Sequence, residues 1–433
     1  MKVMVVGGGG REHALAWKIS QSKKLSRLYA TSPVNAGISE LAEPVPYRPE
    51  QINELADYAD DKGIDLTVVG PEAPLAAGIV DIFQERDLRI FGPNKAAAEL
   101  EASKSYAKKL MSRNNIPTAR YVVATHPVTA KSYVHQTWKD DAKLVVKASG
   151  LAAGKGVIVC DTKEQAINAV DRIMVKKEFG NAGEEVVIEE RLYGPEASVI
   201  GITGNGKVFF FPESQDYKPL RDGDNGPNTG GMGAYSPVPV VRDEISEQIR
   251  QEAILPTMKA MDTDGRFFSG CVYAAVILTP EGPKILEYNV RFGDPETQPL
   301  LMRLNSDLLP YLEACADGRL KEMPNLDFSK KAAVCVVLAS EGYPYSYEKG
   351  KKITGLPDVQ ADFGDDVMVF HAGTREHDGH IYTSGGRVLG VTALGDTVDK
   401  AADLAYEAAE MIKFNGKCNR SDIGRNVMER GRV

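Results

Sequence analysis

The 433 residues include 60 acidic against 52 basic side chains, a formal charge of −8, with 43% apolar and 26% charged content, which excludes a disordered or fibrous chain and predicts about two to four globular domains. Binding nucleic acid would require a dominant basic surface that this balance does not supply, so only a local basic pocket remains open. Five cysteines, at 160, 271, 315, 335 and 418, form no CxxC pair and read as reduced buried thiols rather than a disulfide frame or a zinc site. The longest apolar runs, Cys271 to Leu278 and Ala332 to Ala339, are strand-length, far short of the roughly 18 residues a bilayer demands. The short MVV stretch runs directly into four glycines, leaving no secretory segment, so the expected location is the cytoplasm and no membrane partner is expected.

From Lys2 to about Gly92, β-branched runs (VMVV, LTVVG, RIFG) alternate with helical stretches at 11–21, 49–62 and 75–86. That alternation predicts a parallel, helix-flanked sheet. Gly7 to Gly10 lie between the first strand and a helix opening at Arg11, where free N–H groups and the helix dipole favour an anion such as phosphate. The same glycines can equally serve only a tight turn. A dinucleotide fingerprint needs a glycine at the sixth place, which is Glu12 here, so a Rossmann cofactor is demoted. Gly92-Pro93-Asn94 punctuates the chain, a helix rich in Ala, Lys and Glu follows to about Asn114, and a boundary near residue 100 is expected.

Residues 120–190 read as a small two-layer α+β unit: a helix, a strand (AKLVVKA), a glycine-rich connection, a strand (GVIVC), a helix near 163–178 and a strand (EEVVIEE). Lys147 ends the first of these strands and Lys155 sits in the Gly/Ala loop before the second. A P-loop would open a helix; here a strand follows, so the segment is either a glycine flap folded over a triphosphate, with Lys147 reaching inward, or a flexible surface hairpin. Glu189 and Glu190 end the third strand and Glu196 follows Gly194-Pro195; one carboxylate of the pair is placed to accept from an adenine amino group and Glu196 from ribose hydroxyls, although by composition such residues are more often surface charges.

Residues 197–290 hold strand-like runs interrupted by DGDNGPNTGGMGAYSPVP, a stretch too long for a simple turn and of a size usually functional or disordered. In GPKILEYNVRFGDPETQ, strand alternation puts Glu287, Asn289 and Arg291 on one face and Leu286, Tyr288 and Val290 on the other. A carboxylate beside an amide carbonyl offers hard oxygen ligands to Mg²⁺, and Arg291 a fork for a carboxylate or phosphate. The bland counterpart is an edge strand with a wetted polar face. A polar segment at 321–331 leads to a last block with strands near 332–339 and 386–393 and a helix near 397–413, read as structural with a substrate-facing edge. His371, His377 and His380 lack a helical metal spacing and read as a loop or hairpin.

Together GGREHALAWK, VGPEAPL, VVKASGLAAGKGV, GPNTGGMGAYSP and NVRFGDPETQ resemble, in order and over nearly the whole chain, the glycinamide ribonucleotide synthetase (phosphoribosylamine-glycine ligase) family, with RFGDPETQ at 291–298 as its signature. The resemblance implies an α/β and α+β multidomain ATP-grasp fold: a Rossmann-like pre-ATP-grasp domain at 1–103, an ATP-grasp region at 104–325 with a lid at about 120–190, and an α+β domain at 326–433. It further implies a ligase of purine biosynthesis joining glycine to 5-phosphoribosylamine with ATP and Mg²⁺ (or Mn²⁺), through glycyl phosphate, acting as a monomer or a weak dimer. Carried over by motif position, Glu287 and Asn289 would hold the metal. Lys104, Lys147 and the loop residues Gly150, Gly154, Lys155 and Gly156 would meet the phosphates. Glu189, Leu192 and Glu196 would meet adenine and ribose, Arg291 and Asp216 would orient glycine, Gly9, Gly10 and Arg11 would face the sugar substrate, and Gly293 and Asp294 would bind substrate.

Departures from the family pattern are Ser149 in KASG, Tyr217 and Pro219 in SQDYKP, Val34 in PVNAG, and the lack of an acidic residue in VYAAVIL. Two other readings stand beside the ligase: the same machinery with a different carboxylate or a carboxylation step, kept open by Tyr217, and a nucleotide-binding regulator without turnover, against which Lys147, Glu287 and Asn289 argue.

Overall fold

The computed structural model describes residues 1–137, 143–152, 154–425 and 427. Ala142, with which one expected strand began, and Ala153, inside the expected phosphate-covering loop, lie outside the described residues. Among the described residues no helix is long and apolar enough to cross a membrane.

Val3, Met4, Val5 and Val6 are all fully buried, the continuous apolar run of a strand covered on both faces. Accordingly Lys2–Val6 sits at the centre of an all-parallel sheet ordered Glu43–Val45, Arg27–Thr31, Lys2–Val6, Leu66–Val69, Ile90–Phe91. The parallel, helix-flanked sheet is as expected; two of its strands, RLYAT and EPV, are too short and too ordinary in composition to stand out. Strand order reverses at Lys2–Val6, so a crevice opens at the carboxyl ends of Lys2–Val6 and Leu66–Val69. Gly7 to Gly10 and Gly70-Pro71-Glu72 line it. The single helix expected up to Asn114 is two, Lys95–Ala102 and Lys104–Arg113, each with its own N-cap: Asn94 accepts from the Ala97 N–H and Ser103 from the Tyr106 N–H. Lys104 thereby opens a helix.

The lid is an antiparallel sheet ordered Tyr121–Ala124, Val186–Glu190, Leu144–Ala148, Val157–Cys160. Its first strand replaces part of the expected opening helix, which begins only at Pro127. Helices Pro127–Thr137 and Lys163–Val170 cover it, and Val146, Ile188, Ala166 and Ile173 belong to a core of its own. Beside it stands a larger antiparallel sheet, Lys207–Phe210, Glu196–Gly204, Gly270–Thr279, Gly282–Asn289. Its side chains alternate between two cores, Val272, Ala274 and Val276 on one face, Cys271, Tyr273 and Ala275 on the other.

The long glycine-rich and proline-rich stretch is not a loop. Pro219–Arg221 and Asn225–Asn228 form a hairpin, and Gly233–Ser236 pairs with Ala332–Ser340 in a sheet ordered Gln215–Asp216, Gly233–Ser236, Ala332–Ser340, Arg387–Gly395, Val367–His371. Gly233 allows this pairing because a Cβ there would meet the Cys335 carbonyl oxygen at 2.6 Å. Thr374–His377 and His380–Thr383 make the expected hairpin, while His371 ends a strand and is buried.

Arg420, 1% exposed, clamps this region from the far end of the chain. Its guanidinium bonds Asp422 (2.7 and 2.6 Å), Asp224 (3.0 Å) and the Pro219 carbonyl (3.0 Å), and lies 4.8 Å over the Tyr217 ring. Removing one member of a buried ion network strands its partners. Replacing Arg420 with Met should therefore cost about 2 kcal/mol, since both aspartates retain some solvent, read as a lower urea midpoint with an unchanged slope; an unchanged midpoint would show the clamp to be dispensable.

Candidate active site

Glu287 pairs with Ala275, but Ile285 pairs with Val276, so Leu286 is an extra residue in the ladder, a β-bulge. The bulge corrects the expected alternation: Ile285, Tyr288 and Val290 face one core while Leu286 packs on the other. It also turns the Leu286 carbonyl toward Lys147, whose Nζ donates to it at 3.3 Å. Burial pushes the Glu287 pKa up, but Lys104, Lys147, Lys218 and Arg291 outweigh that and hold the carboxyl below its ordinary range. Asn289 Oδ1 accepts from Arg291 Nη2 at 3.0 Å, which leaves its second lone pair for another partner.

Lys104 and Lys147 approach from the other side. The Lys104 N–H donates to Ser149 O (2.9 Å), the Ser105 N–H to Ser149 Oγ (3.1 Å), and Lys104 Nζ reaches Gly150 O (3.4 Å), so the helix start and the glycine loop are knitted together. Burial, reinforced by Lys147, lowers the Lys104 pKa against the pull of Glu287. In the loop, Gly154 comes within 3.8 Å of the Thr229 carbonyl, measured from where a Cβ would stand, and Gly156 folds back on Ala148, whose N–H donates to the Gly156 carbonyl at 2.8 Å. Lys155 lies exposed on this flap.

Glu189 is 2% exposed, with Oε2 2.9 Å from Lys147 Nζ and Oε1 3.1 Å from Lys108 Nζ, an ion-pair distance at which Oε1 takes no hydrogen bond. Glu190 is the surface charge of the pair, bonded to Arg120. Leu192 lies in the connection between the lid strand Val186–Glu190 and Glu196–Gly204. Glu196 Oε2 and Asp216 Oδ1 each lie 3.1 Å from Lys218 Nζ. Burial, with Glu296 and Glu196 nearby, raises the Asp216 pKa to about 7 despite Lys218. Tyr217, between these two charged residues, points the other way: it is 1% exposed, faces the core and accepts from the Gly424 N–H at 3.0 Å. The Tyr217 departure is a packing change.

On the crevice side, Arg11 Nε bonds Glu12 (2.7 Å) and Arg11 Nη1 the Phe292 carbonyl (3.1 Å), while the Gly9 N–H already donates to Glu12 Oε2 (2.7 Å). The glycine turn thus carries its own carboxylate at the helix start. Gly10 faces Gln298 and Asp294. Asp294 is held by Arg387 (3.0 Å) and Gln298 (3.0 Å), and these, with Arg11, keep its carboxyl low although burial raises it. Gly293 has no room for a side chain, because a Cβ would meet Glu296 Oε2 at 2.5 Å. Glu296 in turn accepts from Tyr273 OH at 2.6 Å, which shares a bond with Ser198 Oγ at 2.9 Å. Arg291 is tied to Glu101 (3.2 Å) and Glu72 (3.3 Å); its fork therefore meets protein carboxylates.

Lys108, Lys218, Glu296, Tyr273, Glu101 and Arg387 were missed in the sequence. For Lys108 a signal existed: it is four residues after Lys104 on one helix, hence on the same face. Lys218 and Glu296 also lie inside the segments SQDYKP and RFGDPETQ, and Glu101 three residues before Lys104, so proximity to expected site residues was a signal for them; Tyr273 and Arg387 meet the site from distant segments and had none. Among the described residues no three His, Cys, Asp or Glu side chains gather to hold a metal. Two oxygens, the Glu287 carboxylate and Asn289 Oδ1, ringed by cations, suit Mg²⁺ or Mn²⁺ that fills its shell with water and phosphate oxygens, so the residues fit the metal.

A lid and a larger antiparallel lobe clasping a cationic cleft, behind a parallel α/β domain, define an ATP-grasp protein. The chain matches the family models described as "Phosphoribosylglycinamide synthetase, N domain" over residues 1–101, "ATP-grasp (A) domain" over 102–297 and "C domain" over 333–426. It is 49% identical to the phosphoribosylamine-glycine ligase of Rhodopirellula baltica over 424 residues (97% of this chain, 96% of that one) and 48% identical to that of Ralstonia nicotianae over 433 (99% and 100%). Among solved structures, the phosphoribosylamine-glycine ligase of Thermotoga maritima superposes with a TM-score of 0.83 at 34% identity, covering 98% of this chain and 100% of that one. The biotin carboxylase of Campylobacter jejuni, TM-score 0.76 at 14% identity over 99% and 95% of the two chains, shares the fold. The chain belongs to the phosphoribosylglycinamide synthetase family, ligases of purine biosynthesis.

The raised Asp216 pKa has a defined sign in stability. Between its ordinary value of 3.8 and about 7 the native state holds a proton that the unfolded chain has lost. The group's contribution is thus full below the lower value, declines as pH rises and levels off above the upper one. Asp216→Asn should flatten this portion of the urea stability profile between about pH 4 and 7; parallel wild-type and variant profiles would place the Asp216 titration elsewhere.

Proposed function

We propose that the protein joins glycine to 5-phosphoribosylamine at the expense of ATP, giving glycinamide ribonucleotide, ADP and phosphate through glycyl phosphate. The observation that carries this reading is the placing of Lys147 Nζ on the Leu286 carbonyl and of Arg291 on Asn289 Oδ1, on either side of Glu287, whose carboxyl the surrounding cations hold below its ordinary range despite burial. Phosphoryl transfer to a carboxylate brings anions together, and a preorganised cationic cleft offsets that repulsion as the bond forms. Mg²⁺ or Mn²⁺ on Glu287 and Asn289 would add neutralisation of the phosphate oxygens. The family relationship of the whole chain supports the same substrates.

In this reading one glycine carboxylate oxygen attacks the γ-phosphorus and ADP leaves. The carboxylate is ionised at neutral pH, so no base is required. The sugar amine then attacks the acyl carbon, loses a proton, and phosphate departs. Lys104 and Lys147 meet the phosphates, with the flap Gly150, Gly154, Lys155 and Gly156 above them. Leu192 lies at the hinge where adenine would sit, with Glu196 beside the ribose; the buried carboxylate of Glu189 acts through Lys147. Asp216 and Arg291 orient glycine, while Gly9, Gly10, Arg11, Gly293 and Asp294 face the phosphoribosylamine. The negative net charge favours small molecules over nucleic acid as partners, and the chain is read as a cytoplasmic monomer or weak dimer. The alternative acceptor kept open by Tyr217 loses its support, since that side chain faces the core.

Purified protein should release ADP only when glycine and 5-phosphoribosylamine are both present. With glycine labelled by ¹⁸O in its carboxylate, one labelled oxygen should appear in the phosphate; unlabelled phosphate would exclude the acyl phosphate. Glu287→Gln should lower turnover by about 100-fold or more while leaving the circular dichroism spectrum intact. Near-normal turnover would remove Glu287 from the metal site.

A further inference from the structure

Lys108 is buried as deeply as any charged group near the cleft, with 2% of its surface exposed, yet it lies one helical turn behind Lys104 and outside the residues assigned to the reaction. Its contacts close a ring. Lys108 Nζ lies 3.1 Å from Glu189 Oε1 and donates to Thr118 Oγ1 at 2.6 Å; Thr118 Oγ1 donates to the Ile285 carbonyl at 2.7 Å. Ile285 adjoins the bulged Leu286, whose carbonyl accepts from Lys147 Nζ at 3.3 Å, and Lys147 returns to Glu189 Oε2 at 2.9 Å. The ring joins three separate pieces: the lid strands that carry Lys147 and Glu189, the helix Lys104–Arg113, and the strand that carries Glu287 and Asn289.

A carboxylate between two buried ammonium groups shares its charge between them. Burial pulls the Lys108 pKa down to about 8 against the pull of Glu189, so this ammonium owes its charge to the carboxylate it holds. Without Lys108, Glu189 would have Lys147 alone, would hold it more tightly against the lid sheet, and would leave it less able to give its charge to a phosphate. The Thr118 branch would lose its donor as well, and with it the polar link from the helix to the metal-bearing strand.

We propose that Lys108 is a positioning residue for ATP: by taking one oxygen of Glu189 and anchoring to Thr118, it keeps Lys147 poised between the lid and the Leu286 bulge, aimed at the nucleotide phosphates. This rests on the reading that Lys147 meets ATP. It distinguishes Lys108 from a residue that merely satisfies a buried charge, because the effect is specific to one substrate and passes through one partner.

The test is steady-state kinetics of full-length Lys108→Met and Lys108→Arg, with MgADP binding measured by calorimetry. Lys108→Met should raise the KM for MgATP and weaken MgADP binding by about tenfold or more, leaving the KM for glycine within about twofold. Lys108→Arg, which keeps the charge, should recover most of the loss. In a Glu189→Gln background the Lys108→Met change should add less than about twofold, the mark of two residues acting as one unit. Equal rises in both KM values, additive effects in the double variant, or a fall in thermal stability with normal kinetics would overturn the proposal. If Lys108→Met fails to fold, Thr118→Val tests the same ring, and an unchanged MgADP affinity there would overturn it. Wild-type protein that binds MgADP but fails to couple glycine and phosphoribosylamine would instead overturn the functional reading, leaving the binding comparison to judge Lys108.

Discussion

A cleft that must hold polyphosphate has to bury positive charge, and buried positive charge survives only beside negative charge. This constraint organises the molecule. Lys147 and Lys108 share Glu189, Lys218 divides between Glu196 and Asp216, and Arg291 lies between Glu72 and Glu101. Two groups depart from this pairing among the described residues: Lys104 Nζ reaches only the Gly150 carbonyl, and Glu287 stands apart. Among the described residues its carboxylate has no lysine or arginine within ion-pair distance, although four cations around it keep it ionised. A field of cations around one carboxylate that no lysine or arginine pairs suits a divalent ion carrying phosphate oxygens.

The same constraint explains what the sequence disclosed and what it hid. Strand alternation alone put Glu287, Asn289 and Arg291 together, because period-two patterning is local and the apolar residues between them are unambiguous. The alternation said nothing of the bulge at Leu286, a pairing defect that depends on the neighbouring strand. Parallel strands flanked by helices were legible from Lys2 to Gly92, yet RLYAT and EPV were not, since short strands owe their state to their neighbours. Buried charges were the hardest to see. Glu189 and Glu190 are chemically identical in sequence, and only the fold sends one between two lysines and the other to the surface beside Arg120. Arg387 reaches the site from the C-terminal sheet, through its pair with Asp294, for which composition holds no signal.

Domain limits drawn along the chain also cut across the physical units. Gln215–Asp216 and Gly233–Ser236 belong by hydrogen bonding to the sheet built on Ala332–Ser340, although they lie in the middle of the ATP-grasp segment. Asp216 is thus held by the C-terminal sheet while facing Lys218 and Glu196, and Arg387 extends from the same sheet to Asp294 and the carbonyls of Gly230 and Gly231. The C-terminal block is more than a structural appendage: it supplies the floor that fixes two acidic residues of the site. Tyr217 shows how this works at one residue. Its ring fills the core between the sheets and supports the Arg420 guanidinium, so the two neighbours on the same extended segment are turned outward to the cleft.

The lid is built on the opposite principle. It has a core of its own, and its contacts with the strand that carries Glu287 and with the helix at Lys104 include polar ones: Lys147 to Leu286, Lys108 to Glu189, Ser105 to Ser149 and to Glu185. Apolar burial released on separation would cost about 25 cal/mol for each Å², whereas a polar contact broken in the presence of water is largely replaced by hydration. A lid joined this way can part from the strand as a unit without exposing a core. Lys147, one of the groups that hold it there, is also one proposed to meet the nucleotide, so in that reading the same side chain serves both contacts. Rigid floor and polar-hinged roof follow from one division of labour between apolar and charged contacts, drawn along the strand that carries Glu287.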